Sequence, residues 1–245
     1  MRRAAALGLL AALAPAGCGG GDGNGGDAGT QARPTTPAGE VAVPPARRPT
    51  QPTLIAALGD SITAGSPLWD PDPRVRAQAP DQLNDQSQYE YWAQRRLGRN
   101  ARFRNCGVFG ERTDQIARRL ERCARGAQVL VVQGGINDIA QGRPVRAAWD
   151  ELRAMVRRGR ALGLRVALTD VLPWNNGDPR FTARIGELNR LIAQLGREER
   201  VPVLPFHDAL VDPSRPGRMR AQLTVDGDHP DVAGYRLLGN AFSLP

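Results

Sequence analysis

The sequence predicts an α/β domain in which a parallel sheet lies between two layers of helices. Short apolar segments alternate five times with longer amphipathic segments between residues 53 and 241, which is the pattern of repeated strand–helix–strand units. Most of the apolar segments run without polar interruption, as expected of strands that are buried on both faces. Turns rich in Gly, Ser, Asn and Asp follow the strands, so we expect these turns to gather at the carboxyl edge of the sheet.

The predicted elements can be placed along the chain from their apolar spacing. Strands are expected over residues 53–58, 101–105, 128–133, 164–169 and 201–206. Helices are expected over residues 88–97, 113–123, 144–162, 180–197 and 231–241. The second strand is interrupted by Arg and suits a sheet edge. Right-handed crossovers then favour a three-layer, flavodoxin-like sandwich with a five-stranded parallel sheet.

The N-terminal residues 1–18 have the layout of an export signal. A basic start precedes an apolar run over residues 4–14 that is too short to span a membrane. Cys18 follows small residues and precedes a glycine-rich stretch, an order that resembles a bacterial lipoprotein signal. Pro15 stands where that pattern wants Leu, which leaves ordinary signal cleavage as the alternative. We therefore expect a secreted protein or a cell-surface lipoprotein with a lipid on Cys18 as its only membrane contact.

Residues 19–52 have almost no large apolar side chains and read as a flexible Gly/Pro-rich tether. Residues 53–245 are then enough for one domain with a normal core. The net charge is +8, but every basic residue is Arg and is interleaved with acids. No basic block stands beside stacking aromatic residues, so a nucleic-acid partner is not expected.

Besides Cys18, the cysteines are Cys106 and Cys123. No Cys/His cluster with metal-ligand spacing exists in the sequence, so no metal site is expected. In an exported protein these two cysteines are a candidate disulfide, and the unpaired alternative stays open.

Ser61 directly follows the first predicted strand, in a Gly-Asp-Ser turn. A serine hydroxyl needs a base to become a nucleophile, and His229 is the candidate base. Asp226, three residues earlier, could orient the His229 imidazole as the third member of a catalytic triad. The alternatives are that Ser61 caps a helix and that residues 226–231 only open the last helix. Asp228 is expected to do only the latter, and His207 to be structural.

Acyl transfer also needs hydrogen-bond donors for an oxyanion. The candidates are the main-chain N–H groups of Ser61 and Gly110 and the side-chain amide of Asn137. Each has a simpler explanation, Gly110 as a turn glycine and Asn137 as a local turn residue. We expect the combination at one sheet edge to be functional.

Four segments, in this order, resemble the sequence blocks of the SGNH (GDSL) hydrolase superfamily. They are Gly59-Asp-Ser-Ile-Thr63, Asn105-Cys-Gly-Val-Phe-Gly110, Gly135-Ile-Asn-Asp138 and Asp226-Gly-Asp-His229. Glu111 departs from the pattern, because members often carry Asp after the oxyanion glycine. The resemblance implies a serine esterase, lipase or acylhydrolase that acts without a metal or organic cofactor. Ester substrates with short acyl groups, on glycans or lipids, are the expected partners.

Three loop residues are candidates for the substrate pocket: Trp69, Trp174 and Asn175. Trp69 lies in a long polar connection, residues 67–86, that we expect to form a rim or lid, and loop anchoring is its alternative role. Two non-enzymatic functions stay open. One is a flavodoxin-like ligand-binding module that holds a phosphate on its hydroxyl-rich loop, residues 61–66. The other is a glycan-binding surface protein without turnover.

Overall fold

The computed structural model describes residues 51–245. The predicted signal (1–18), Cys18 and nearly all of the predicted tether (19–52) lie outside these residues, and those interpretations stay predictions. The described chain forms a five-stranded parallel sheet in the order β2-β1-β3-β4-β5. Its strands are β1 Thr53–Gly59, β2 Ala101–Gly107, β3 Val129–Val132, β4 Arg165–Thr169 and β5 Val203–Leu204. The predicted fold class and the edge position of the second strand are confirmed.

Helices cover both faces of this sheet and connect its strands. They are α1 Ser61–Ala64, α2 Pro73–Arg76, α3 Tyr89–Leu97, α4 Thr113–Ala117, α5 Leu120–Ala124, α6 Ile136–Ala140, α7 Val145–Ala161, α8 Pro179–Glu199, α9 Phe206–Leu210 and α10 Val232–Ala241. A short antiparallel ribbon joins β6 Val211–Asp212 to β7 Arg215–Met219. No helix in residues 51–245 is long and apolar enough to cross a membrane.

The two sides of β1 contribute to two separate apolar cores. Ala56 and Leu58 pack into the core beneath α7 and α8, whereas Ile55 and Ala57 pack into the core beneath α3 and α10. This alternation follows from the two-residue period of a strand. Because both faces are buried, the polar residues after the strand end are the first that can reach solvent or a substrate.

The structure contains three short helices that were not predicted, α2, α6 and α9, and it differs from the predicted elements in three further places. The helix predicted over residues 113–123 is broken into α4 and α5. The fifth strand is only two residues long, because Pro202 and Pro205 flank it and have no N–H to donate to a neighbouring strand. The β6–β7 ribbon was not predicted, since its Pro, Gly and Arg residues do not form an alternating apolar pattern.

Cys106 and Cys123 form a disulfide, with a Cα–Cα distance of 6.1 Å. The paired alternative is therefore the one observed. The bond joins the end of β2 to α5, and so holds the second helix after the loop containing Gly110 against the sheet.

Candidate active site

The nucleophile candidate lies at the turn that follows β1. Asp60, and not Ser61, caps α1, since the Ile62 N–H donates to Asp60 Oδ1 at 3.0 Å. The interpretation of Ser61 as a helix cap is therefore wrong. Its hydroxyl is free for another partner, and its side chain lies in the wall of a cavity.

That partner is His229, which lies 168 residues further along the chain. The His229 Nε2 atom is 3.0 Å from Ser61 Oγ, and His229 Nδ1 is 2.8 Å from Asp226 Oδ2. The other carboxylate oxygen of Asp226 accepts main-chain N–H groups from His229 at 2.8 Å and from Asp228 at 2.9 Å. The two-sided contact fixes the carboxylate, and the geometry suits an imidazole with its proton on Nδ1 and a free lone pair on Nε2.

The electrostatics of Asp226 favour a carboxylate that stays charged. Partial burial opposes its ionisation, but hydrogen bonds from the His229 main chain and imidazole outweigh this effect, and the pKa of Asp226 is lowered. An ionised Asp226 can stabilise positive charge on the His229 imidazole.

Three hydrogen-bond donors line the cavity beside Ser61. Among the described residues, neither the Ser61 nor the Gly110 main-chain N–H donates to a protein acceptor. Gly110 has φ +76°, a left-handed conformation that suits glycine. Asn137 donates one Nδ2 hydrogen to the Glu111 carbonyl at 3.0 Å, which leaves the other hydrogen for a ligand. This group of donors can stabilise an oxyanion formed at the cavity.

An ion pair fixes the loop that carries Gly110. The Arg119 guanidinium contacts Glu111 Oε2 at 2.6 Å, and both side chains are largely shielded from solvent. Arg119 also donates to the carbonyls of Gly59 at 3.0 Å and Cys106 at 2.7 Å. One side chain therefore joins the ends of β1 and β2 to the Gly110 loop. Glu111, the departure from the resembled motif, is long enough to serve as its partner.

A buried carboxylate fixes the helix that carries Asn137. Asp138 is fully buried and accepts hydrogen bonds from the Thr113 N–H at 2.9 Å and the Thr113 hydroxyl at 2.8 Å. Arg143 completes the contact with the same carboxylate. Thr113, the first residue of α4, therefore connects α4 to α6.

The cavity beside Ser61 has a volume of about 130 Å³ and a largely apolar wall. Trp174 forms part of that wall, stacks on Phe181 at a ring-centroid distance of 5.1 Å, and donates its indole N–H to Asp228. Burial raises the pKa of Asp228. The remaining apolar lining residues are Ile62, Phe109, Ile136, Ala140, Val171, Leu172 and Pro173.

A family model for GDSL-like lipases and acylhydrolases matches residues 57–237, which is more than half of the sequence. The chain belongs to this family. It is therefore an enzyme of an esterase and acylhydrolase family, as the four sequence blocks indicated. No curated protein matches the chain.

Solved structures share the fold at low sequence identity. A member of the lipolytic G-D-S-L family from Veillonella parvula is 19% identical, with a TM-score of 0.63 over 77% of this chain and 95% of that one. A GDSL-like lipase from Bacteroides thetaiotaomicron is 20% identical, with a TM-score of 0.58 over 77% and 85%. An acetyl-xylooligosaccharide esterase variant from Geobacillus is 19% identical, with a TM-score of 0.61 over 78% and 92%. At these identities the likeness concerns the fold.

The structure corrects several predictions about the cavity. Trp69 lies outside it, in a neighbouring groove where Arg76 stacks on its ring. Asn175 is also outside, because both ends of its amide bind the main chain of Met219. Asp228 lines the cavity, whereas Asp231 caps the last helix. His207 does not line the cavity, which agrees with the expectation that it is structural, and its main-chain N–H binds Asp170.

Gln133, which directly follows β3 and was not predicted to be functional, organises the Ser61 turn. Its Oε1 atom accepts the Thr63 hydroxyl at 2.8 Å and the Asp60 N–H at 3.1 Å. Any Cβ at position 59 would lie 2.4 Å from that oxygen, so the turn requires Gly59. A Gln at the end of a predicted strand belongs to no motif, so the sequence did not indicate that it binds the Ser61 turn.

Asp60 is fully buried beside the nucleophile candidate, and its Oδ2 atom has no hydrogen-bond partner among the described residues. Burial raises the pKa of Asp60 from 3.8 to about 6, against the lowering effect of the hydrogen bond that its carboxylate accepts from the Ile62 N–H. The folded protein therefore holds this proton more tightly than the unfolded chain. Its stabilising effect is fully present below pH 3.8 and is lost as the pH rises through about 6.

We expect Asp60→Asn to weaken the pH dependence of stability, because the amide does not ionise. Between pH 4 and pH 8 the wild type should lose about 2 kcal/mol more unfolding free energy than the variant, because the loss is about 1.36 kcal/mol for each pH unit between pH 4 and the raised pKa of about 6. Urea unfolding across this pH range would measure the difference. If the two curves of unfolding free energy against pH are parallel, the raised pKa is contradicted. Any constant difference between them would then report only the cost of burying an unpaired amide.

Proposed function

We propose that this protein is a serine esterase that cleaves carboxylic esters through an acyl-serine intermediate. The observation that carries the proposal is the continuous contact from Ser61 Oγ through His229 to Asp226, at 3.0 Å and 2.8 Å, in the wall of a cavity. A phosphate-binding module would not need this relay. In a family of acylhydrolases, the relay supports turnover over binding alone.

In the proposed first half-reaction, Ser61 Oγ attacks the ester carbonyl carbon and its proton passes to His229 Nε2. The resulting oxyanion accepts hydrogen bonds from the Ser61 N–H, the Gly110 N–H and the free amide hydrogen of Asn137. Asp226 holds the imidazole and balances its positive charge. The carbon–oxygen bond to the alcohol then breaks, and the alcohol leaves with the proton from His229.

In the second half-reaction, His229 takes a proton from water as the water attacks the acyl-serine carbonyl. The same donors hold the second oxyanion. The bond to Ser61 Oγ breaks, His229 returns the proton to Ser61, and the carboxylic acid departs. Every proton that His229 takes is returned within the cycle, so the ester and one water molecule are the only reactants.

We propose short acyl groups for the substrate. The cavity beside Ser61 measures only about 130 Å³, and Trp174, stacked on Phe181, limits its extent. The name of the Geobacillus neighbour, an acetyl-xylooligosaccharide esterase, is consistent with a small acyl group. Acetyl esters of glycans and of lipid alcohols both suit such a cavity and differ in the alcohol portion.

A series of p-nitrophenyl esters, from acetyl to octanoyl, tests this proposal. All members release the same alcohol, so differences in kcat/KM report the acyl group. We expect kcat/KM to be highest for acetyl and to fall as the chain exceeds the cavity. An increase with chain length would contradict the short-acyl proposal. A fluorophosphonate probe that fails to label Ser61 would contradict the serine mechanism itself.

A further inference from the structure

The structure holds a second apolar surface next to the Ser61 cavity. A groove of about 250 Å³ lies beside the connection between α1 and α3. Its main lining residues are Pro67, Trp69, Val75, Arg76, Leu83 and Phe109. We infer that this groove, here called the Trp69 groove, binds an apolar alcohol portion of the ester. The inference rests on the proposed esterase function.

Phe109 connects the groove to the catalytic residues. Its ring lines both the Ser61 cavity and the Trp69 groove, and it stacks on the His229 ring at a centroid distance of 5.9 Å. A substrate with its carbonyl at Ser61 can therefore place one part in the cavity and continue past Phe109 into the groove. Since the cavity is the smaller space, it suits the acyl group, and the groove is left for the alcohol.

The groove collects apolar side chains that the fold does not bury. Val75, Leu83 and Phe109 are 44%, 37% and 63% exposed. They are three of the seven large apolar side chains that the described part of the chain exposes. A concentration of exposed apolar side chains around one concave surface indicates a binding site.

Hydrogen bonds within the connection shape the groove before any ligand binds. The Asn84 N–H donates to the Leu68 carbonyl at 2.8 Å and closes the loop. Asp72 caps α2, and Arg76 donates to the Asp70 carbonyl at 2.5 Å while its guanidinium lies 4.6 Å from the Trp69 ring centroid. A surface that is already ordered loses little entropy on binding.

The chemistry of the lining favours an apolar alcohol over a sugar. Sugar recognition needs several polar groups that pair with hydroxyls, because an unpaired buried hydroxyl is costly. Here the exposed wall is mainly aliphatic and aromatic, although Ser66, Asp70, Arg76 and Gln78 also line it. Ser66 is buried, and the Asp70 carboxylate already accepts the Asp72 N–H. Arg76 is engaged with Trp69 and with the main chain, which leaves Gln78 as the polar side chain open to a ligand. We therefore assign aryl-alkyl or alkyl alcohols to the groove, and glycan alcohols become the alternative outcome.

Three esters separate the two binding surfaces. Ethyl acetate is the reference; 2-phenylethyl acetate adds a phenyl group to the alcohol, and its isomer ethyl phenylacetate adds the same group to the acyl side. The first two release alkoxides of similar basicity, so their ratio reports binding. We expect kcat/KM for 2-phenylethyl acetate to exceed that for ethyl acetate by about 10-fold or more, as burial of several carbons permits.

The variant Val75→Ser/Leu83→Ser removes apolar surface from the groove without touching the proposed catalytic residues. We expect it to lower the 2-phenylethyl preference at least about 5-fold and to leave ethyl acetate unchanged. The matched control is Leu162→Ser/Leu244→Ser, at positions that are 41% and 39% exposed and do not line the groove. An equal preference in all three proteins, or a preference for acetylated xylose, would overturn the assignment. A loss confined to ethyl phenylacetate would assign the groove to the acyl group instead.

Calorimetric binding of 2-phenylethanol separates this inference from the esterase proposal. Binding that weakens in the groove variant, in a protein without Ser61-dependent turnover, would support the groove and contradict the esterase. Ser61-dependent turnover of ethyl acetate without measurable 2-phenylethanol binding or preference would overturn the groove and retain the esterase.

Discussion

We expect Ser61→Ala to lower kcat for p-nitrophenyl acetate by about 10⁴-fold or more, because the acyl-enzyme can no longer form. The methyl group of Ala leaves His229 and Asp226 in place without a nucleophile. Residual hydrolysis would come from the oxyanion donors acting on direct attack by water. Steady-state kinetics with active-site labelling measures this effect, since the fluorophosphonate should label the wild type and not the variant.

Ser214→Ala is the matched control, because Ser214 lies at the β6–β7 ribbon and its hydroxyl contacts only Asp212 among the described residues. It should retain wild-type kcat and labelling. Melting temperatures of the three proteins would establish that they are folded. A Ser61→Ala enzyme with more than about a tenth of wild-type turnover would show that another group performs the chemistry.

The sheet could be predicted because its strands are nearly all apolar. Residues 129–132 and 55–58 are short and entirely apolar, which is the pattern of strands that are buried on both faces. The parallel arrangement then places every post-strand turn at one edge. Ser61 and His229 are therefore expected at the same edge although 168 residues separate them, and the order of the four blocks indicates the family.

The supporting contacts could not be predicted, because they join charges that read as solvated. Arg119 and Glu111 look like ordinary helix and loop charges, yet their ion pair fixes the loop that carries Gly110. Gln133 is uncharged, but its contacts were equally unpredictable, because its partners Asp60 and Thr63 belong to the turn that follows β1. Such pairings depend on the register of neighbouring strands, which local sequence does not encode.

The placement of aromatic residues was equally beyond the sequence. Trp69 and Trp174 both follow strands on long loops and look alike as pocket candidates. Only the fold separates them: Trp174 reaches the Ser61 cavity through its contact with Asp228, whereas Trp69 faces the adjoining groove. Phe109 lines both the cavity and the groove. In the sequence it only precedes a turn glycine, and nothing in the pattern indicates that it lies beside a binding surface.

The second large effect is expected for Asp226→Asn, which should lower kcat by about 10⁴-fold while the local fold is retained. The amide oxygen of the substituted side chain can keep the main-chain hydrogen bonds from His229 and Asp228, which are 2.8 Å and 2.9 Å long with the native carboxylate. The amide NH₂ group would then face His229 Nδ1. The imidazole must accept there and carry its proton on Nε2, the atom that should receive the Ser61 proton.

Asp231→Asn is the matched control in the same turn. Asp231 caps α10 by accepting the Gly234 N–H at 2.7 Å, a role that Asn also fills. This variant should retain wild-type kcat and stability, so a loss confined to Asp226→Asn isolates the tautomer effect. The Ser61→Ala/Asp226→Asn enzyme should be no slower than Ser61→Ala alone, because residues that act as one unit are not additive. Additive losses, or a loss below about 10-fold for Asp226→Asn, would mean that Asp226 does not act through His229 on Ser61.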